Sequence, residues 1–411
     1  MIDLHRLRNE PDTIISLIQK KDPSFDGKAL LALDEQVRSL SAAIDDLRCE
    51  KNELAKKGQH GLSLELREQA KNLGQALKAK EVEFQEKKEA FTHLHLRCPN
   101  IIQADVPEGN KEQNKVVKVF GEKPSFSFTP KNHCELGELN GWFDFEAAAQ
   151  MTGSNFALYA GSAPMIVYKV MMYMLMHNIR RGFSPIIPPF IVNEKALQGA
   201  GNFPRFKEEV YHLEDEDLYL TPTSEVNLTS MYNNHIFGAD QLPVRMTAWT
   251  SCFRKEAGGY GATERGLIRI HQFEKAEIYT ICEPEKAALE QDHMLATAEG
   301  ILQALGLHYQ VCLLAAQDCS FSSAKTYDIE VWLPGQGAYK EISSVSNCTD
   351  FQARRSEIRY KESPSAKPRL VNTLNGSSLA LPRLLVALME TYQQEDGSII
   401  LPELLNNLIL P

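Results

Sequence analysis

Between residues 28 and 98, apolar side chains return at intervals of three and four. The first run is Leu30, Leu33, Val37, Leu40, Ile44, Leu47 and Leu54; after KKGQHG the second is Leu66, Ala70, Leu73, Leu77, Phe84, Phe91 and Leu94. Lysines fill one slot of the first run and two of the second. Such spacing draws one apolar stripe along a helix. The glycine-bearing break predicts two heptad helices folded back as an antiparallel coiled-coil hairpin. Helices of about 28 residues would reach roughly 40 Å at 1.5 Å per residue. A dimerising coiled coil without a ligand fits the same pattern. CPNIIQADVPEGN (98–110) then interrupts the stripe with two prolines and a glycine. That break predicts a boundary, with an N-terminal domain over 1–105 and a second domain over 106–411.

Beyond the break the periods mix. PMIVYKVMMYMLMHNI predicts a buried helix within 164–181; Lys169 and His177 interrupt it, and it is short for a membrane span. VRMTAWTSCFRKE and LIRIHQFEKAEIYTIC flank the glycine-rich AGGYGATERG and predict a long hairpin. TYDIEVWLPGQGAYKEISSVSNC predicts a second, turning at Pro334–Gly337, and further helices are expected at 284–305 and 381–394. Hairpins with helices between them predict an α+β domain on an antiparallel sheet.

Composition changes this picture little. A hydrophobic content of 43% and charged content of 24% over 411 residues suit a globular protein of two or more domains. The opening MIDLHRLRNEPD is charged, and no secretory leader is expected. Eight cysteines without a C-x-x-C pair predict free thiols in a cytoplasmic protein rather than a structural zinc site. A net charge of −10 argues against a general nucleic-acid binder. Residues 28–98, however, hold 13 basic and 12 acidic side chains, a net +1 that leaves −11 elsewhere. A polyanionic partner would prefer that quarter.

Strand alternation gathers polar groups on one face. Cys252, Arg254 and Glu256 share a face of one arm; Arg269, His271, Phe273, Lys275 and Glu277 share a face of the other. Phe273 and Glu277 would stand about 13 Å apart at 3.3 Å per residue, the length of a nucleotide joined to an amino acid. A solvated, charge-paired face fits equally. Thr223 and Glu225 in LYLTPTSEVNL would share a strand face, or serve as a strand-end cap. Glu341 stands among apolar residues, where burial would require a partner such as Mg²⁺ or a base; taken alone, a salt bridge is the plainer reading. Arg383 lies just after Pro382 at an expected helix start, where a cation suits the helix poorly unless an anion joins it. An arginine snorkelling to water is the plainer alternative. His271 reads as a packing residue, and no Walker loop or Ser-His-Asp signature occurs.

CFRKEAGGYGATERGLIRIHQFEKAE resembles motif 2 of class II aminoacyl-tRNA synthetases, TLNGSSLALPRLLVALMETYQ resembles motif 3, and RGFSPIIPPFIV resembles the motif 1 helix–strand. More narrowly, TPTSE, IRIHQFEKAE, EISSVSNCTDFQARR and TLNGS together resemble seryl-tRNA synthetases of the bacterial type. The resemblance covers essentially the whole chain, and the hairpin matches that family's tRNA-binding arm. It implies a class II catalytic domain that ligates L-serine to tRNA(Ser) through seryl-adenylate, with tRNA(Sec) as an additional acceptor to be tested. ATP and Mg²⁺ are the implied cofactors, and a homodimer the implied assembly.

Residue by residue, the resemblance places Arg254 on the ATP α-phosphate, with Lys255 beside it, Glu256 on the adenine amino group and Phe273 stacked on adenine near the Ile270 backbone. Glu341 would ligate Mg²⁺, with Ile342, Ser343 and Ser344 continuing the ATP site, and Arg383 would meet the terminal phosphate. Arg254, Glu341 and Arg383 are thus the catalytic candidates. Thr223 and Glu225 would receive the serine amino group, with Ser224 between them in the serine site and Glu277, Asn375 and Ser377 around the rest of serine. Departures from the family pattern are Asn155 for a basic residue, Ala200 for threonine, Ala262 for a basic residue in the motif 2 loop, and Pro382 for a small residue.

Three other readings compete. A class II-derived ligase acting on a carrier protein would lack the arm. A silent coiled-coil adaptor has no need of so many costly charges. Synthetases for threonine or proline usually carry an anticodon domain after motif 3, where 18 residues follow Gln393 here.

Overall fold

The computed structural model describes residues 1–58, 63–256 and 266–408. The expected turns at KKGQHG and AGGYGATERG, with Ala262, lie wholly or largely outside the described residues. Two compact units divide the chain, Met1–Pro99 and Asn100–Pro411.

The first unit is helical: α1 (Leu4–Asn9), α2 (Pro11–Lys21), α3 (Gly27–Gly58) and α4 (Leu64–Leu96). The long pair exceeds the expected 28 residues, at 32 and 33, and spans about 48 Å. Leu30, Leu40, Ile44 and Leu77 form its buried stripe. Ala70, expected on the stripe, is exposed, because the distal halves bury little. Charge supplements the thin stripe. Arg48 reaches Glu81 across the pair at 2.9 Å, and Arg8 grips buried Asp34 by two bonds of 2.7 Å.

The second unit opens with β1 (Lys115–Phe120), α5 (His133–Asn140), α6 (Phe145–Thr152) and α7 (Ala163–Arg180). Next come β2 (Ser184–Ile186), β3 (Ile191–Asn193), α8 (Glu194–Ala200), β4 (Leu218–Leu220) and α9 (Ser224–Ser230). The central elements are β5 (Ile236–Gly238), β6 (Val244–Phe253), β7 (Gln272–Cys282), α10 (Ala287–Ala304), β8 (Tyr309–Leu313), β9 (Lys325–Leu333) and β10 (Ala338–Asn347). The last are α11 (Phe351–Ser356), β11 (Arg359–Lys361), β12 (Arg369–Leu370), β13 (Asn372–Ala380), α12 (Leu381–Tyr392) and α13 (Glu403–Asn406).

Eight strands form one sheet in the order β1-β8-β9-β10-β13-β7-β6-β2. Its pairs are antiparallel except β2 with β6. A parallel pair needs a long crossover, and residues 187–243 supply it. Helices α7, α10 and α12 bury one face through Val170, Met174, Ile301, Leu302, Leu384 and Leu388. The other face stays polar along β7, β10 and β13, and there the chemistry collects. Among the described residues no helix is long and apolar enough to cross a membrane.

Candidate active site

Pairing of β7 with β13 and β13 with β10 sets the floor of the site: Ser377 lies opposite Glu277, and Ser346 opposite Asn375. A cavity of about 480 Å³ opens above these strands. Thr223, Glu225, Glu277, Asn375 and Ser377 line one part of it; Arg254, Phe273, Glu341 and Arg383 line another. Glu256, Ile270, Ile342 and Ser344 complete the expected residues that reach it. Three expected side chains do not. Ser224 is buried against Thr250, Oγ to Oγ1 at 2.6 Å. Ser343 donates from Oγ to the Ser377 carbonyl at 2.5 Å. Lys255 lies 5.9 Å from the Tyr211 ring centre. Alternation along a strand explains Ser343, which faces away between Ile342 and Ser344 where the register slips.

Two expected strand faces need correction. β7 begins only at Gln272, after a 3₁₀ turn at Gly266–Ile268, so Arg269 and His271 precede the strand. β6 ends at Phe253, and Glu256 sits at φ 49, in left-handed backbone. Glu256 and Arg269 still meet, as an ion pair at 2.5 Å. Nor do Thr223 and Glu225 share a strand. Thr223 caps α9, its Oγ1 accepting from the Glu225 amide at 3.2 Å, so Glu225 enters from a helix.

The Thr223–Glu277 end is crowded with charge. Thr223 Oγ1 donates to Glu277 Oε2 at 3.0 Å and accepts from Lys275 Nζ at 2.8 Å. Lys275 also pairs with Glu277 at 2.5 Å, and both are buried. Lys275 lies on the expected polar face outside the expected binding set, and its two-residue spacing from Glu277 is the signal in the sequence that the two side chains meet. Glu225 accepts from Gln352 at 2.6 Å and from Asn375 at 2.9 Å. Burial, then the Glu277 charge, pushes its carboxyl up to about 7, against the pull of Lys275, Gln352 and Arg254. Among the described residues Lys275 is thus bonded directly to Glu277 and not to Glu225, which keeps only the neutral donors Gln352 and Asn375.

The remaining lining pairs arginines with carboxylates beside an aromatic ring. The Arg254 guanidinium lies 5.2 Å from the Phe273 ring centre, and its Nε donates to the Pro222 carbonyl at 3.2 Å. Arg383 occupies the first turn of α12, one residue after Pro382. Its Nη1 donates to the Glu341 carbonyl at 2.8 Å, and Nε to the Ile268 carbonyl at 3.4 Å. The Glu341 carboxylate stands 3.6 Å from the same guanidinium. Asn155, one of the departures, takes left-handed backbone at φ 62 and receives the His271 amide at 2.9 Å. Ala200, another, is buried and accepts from Gln352, the residue that also holds Glu225.

Oxygen donors near Glu341 suit Mg²⁺. Ser344 lines the cavity beside it, and the Asp328 carboxyl on β9 keeps one buried oxygen without a hydrogen-bond partner. Burial and the nearby Glu341 charge hold that carboxyl well above the usual range. Among the described residues no three His, Cys, Asp or Glu side chains form a metal cage.

An antiparallel sheet that carries an arginine from each of two motifs defines the core of class II synthetases. The family model "tRNA synthetase class II core domain (G, H, P, S and T)" matches residues 206–392, and "Seryl-tRNA synthetase N-terminal domain" matches residues 1–102. The chain is 44% identical to the serine–tRNA ligase of Nitratidesulfovibrio vulgaris (strain DSM 19637 / Miyazaki F), covering 98% of this chain and 97% of that protein. Identity to the serine–tRNA ligase of Leptospira biflexa is 41%, covering 98% and 99%. The seryl-tRNA synthetase of Pyrococcus horikoshii, solved in complex with ATP, superposes with a TM-score of 0.90 at 32% identity, covering 98% of this chain and 97% of that one. The cytoplasmic serine–tRNA ligase of Naegleria fowleri, in complex with AMP, gives 0.82 at 26% identity, covering 97% and 93%. The chain belongs to the seryl-tRNA synthetase family.

Proposed function

We propose that this chain ligates L-serine to tRNA(Ser) with ATP, and that the cavity described above holds both small substrates end to end. The observation that carries the reading is that one cavity gathers Thr223, Glu225, Glu277, Asn375 and Ser377 together with Arg254, Phe273, Glu341 and Arg383. A serine ammonium meets Glu225 and Thr223, with Glu277, Asn375 and Ser377 around the serine hydroxyl and carboxylate. Phe273 stacks on adenine, Glu256 takes its amino group, and Arg254 and Arg383 take the phosphates.

In the first step the serine carboxylate attacks the α-phosphorus, forming a mixed anhydride while pyrophosphate leaves. Arg254 stabilises the negative charge that grows at the α-phosphate, and Arg383 the charge that departs. Glu341, with Ser344 nearby, would hold Mg²⁺, which supplies further charge stabilisation when bound. No side chain needs to remove a proton, since a carboxylate is already nucleophilic; the gain comes from alignment. In the second step a terminal tRNA ribose hydroxyl takes the seryl group and AMP leaves.

The two long helices would hold the tRNA, consistent with the more balanced charge of residues 28–98. Homodimerisation is supported by Met165, Tyr168, Ile187 and Phe190, large apolar side chains left exposed on α7 and the segment after it. Eight free thiols suit a reducing cytoplasm. The test is ATP–pyrophosphate exchange with each of the twenty amino acids: serine alone should support it, and exchange with none would remove the reading. Parallel charging assays with tRNA(Ser) and tRNA(Sec) decide the second acceptor.

A further inference from the structure

Glu390 lies inside the molecule, two helical turns beyond Arg383 on α12, and is fully buried. It accepts from four donors. These are the His133 amide at 3.1 Å and His133 Nδ1 at 3.3 Å, the Gly335 amide at 2.9 Å and Gln336 Nε2 at 3.1 Å. A carboxyl so supplied with donors is a carboxylate, and it fixes the proton of His133 on Nδ1. The other ring nitrogen then faces the chain that returns from the motif 2 loop. The Leu267 amide donates to His133 Nε2 at 3.2 Å. Gly266, at φ 66, crosses so close that a Cβ there would lie 2.3 Å from that nitrogen and 2.5 Å from Cys134 Sγ.

Burial lowers the His133 pKa, while bonds to Cys134 and Glu390 raise it, and the net direction is upward. The Leu267 amide aimed at Nε2 opposes that second proton directly, so the geometry is that of the neutral ring. Ile268, one residue on, gives its carbonyl to Arg383 Nε. Helix α12 thus grips residues 267–268 twice, through Arg383 at its start and through Glu390 and His133 near its end. Those residues run straight into Arg269, Ile270 and Phe273 of the cavity.

We propose that the buried His133–Glu390 pair is a positioning unit for nucleotide binding, setting segment 267–270 at the cavity by accepting the Leu267 amide on the imidazole. The inference rests on the nucleotide occupying the Phe273–Arg383 end. Neither residue touches that end itself, so an error of placement transmitted through the segment should appear in ATP binding and not in serine binding.

The experiment compares wild type, His133→Asn and His133→Gln in serine-dependent ATP–pyrophosphate exchange, with melting temperatures alongside. Asparagine can keep the bond to Glu390 and has nothing at the Nε2 position; glutamine can place an acceptor there. His133→Asn should raise the ATP KM about tenfold, leave the serine KM within twofold, and be largely rescued by His133→Gln. Gly266→Ala, which pushes the segment off the ring, should give the same ATP-selective rise and serves if His133→Asn does not fold. An unchanged ATP KM in the folded variants, an equal rise in both KM values, or a lower melting temperature with normal kinetics would each overturn the proposal. Wild type without any serine-dependent exchange would instead defeat the underlying functional reading.

Discussion

Glu225→Gln isolates the charge imbalance of the serine end. The Glu225 carboxyl is pushed up to about 7 from an ordinary 4.5, because burial and Glu277 outweigh Lys275, Gln352 and Arg254. A shift of that size corresponds to about 3 kcal/mol of differential stabilisation of the protonated form. The sign follows from proton counting. Between pH 4.5 and about 7 the folded protein holds a proton that the unfolded chain has released, so stability of the empty protein falls as pH rises through that window. A serine ammonium reverses the preference, since it needs the carboxylate. Serine binding must then release a proton below about pH 7.

For a group titrating at about 7, the serine KM should rise about fourfold at pH 6.5 and about elevenfold at pH 6 relative to its alkaline plateau. Glutamine keeps an acceptor for Asn375 and Gln352 but cannot ionise. The variant should show a raised serine KM that no longer varies with pH, and a melting temperature at pH 8 above that of the wild type without serine. The assay is ATP–pyrophosphate exchange across pH 6 to 8, with the ATP KM followed in parallel because phosphate also titrates there. A wild-type serine KM that stays flat from pH 8 to 6 would refute the reasoning.

Glu277→Gln should weaken rejection of alanine by tenfold or more in the same exchange assay, since a substrate without a hydroxyl leaves unmet the acceptor that Glu277 offers beyond its bonds to Lys275 and Thr223; unchanged rejection would exclude that role. Alanine is a poorer choice than glutamine at this site, because it strands Lys275 without its partner. Arg383→Ala should lower the exchange rate on the order of 100-fold with little change in serine KM, and a loss under threefold would contradict its place on the phosphates. Replacing residues 28–98 by a short flexible linker should abolish tRNA charging and leave adenylation intact; equal loss of both would count against the helices as the tRNA site.

Periodicity carried the long helices and both hairpins because each depends on local alternation or spacing. Arg383 was legible for the same reason: Pro382 marks the first turn of α12 and makes the cation beside it anomalous. The faces failed where a strand stopped early. Arg269, His271 and Glu256 sit on turns around the loop, where a two-residue period no longer sorts directions. Thr223 and Glu225 were displaced by a capping hydroxyl, which starts a helix where alternation suggested a strand. Gln352 and Asp328 gave no local signal. Their importance comes from a side chain reaching across 127 positions to Glu225 and from a carboxyl buried next to Glu341.

His133 shows the limit most sharply. It opens α5 as an unremarkable first-turn residue, and only the packing of α5 beneath α12 turns it into the acceptor for Leu267. Motif residues can be read from sequence because each belongs to a short local pattern. Residues that hold those motifs in place meet only other parts of the chain, and their role exists once separations of 134 and 257 positions have closed. The same folding step brings Lys275 and Glu277 from β7 against Glu225 from α9, and in that cluster burial and the Glu277 charge push the Glu225 carboxyl up to about 7.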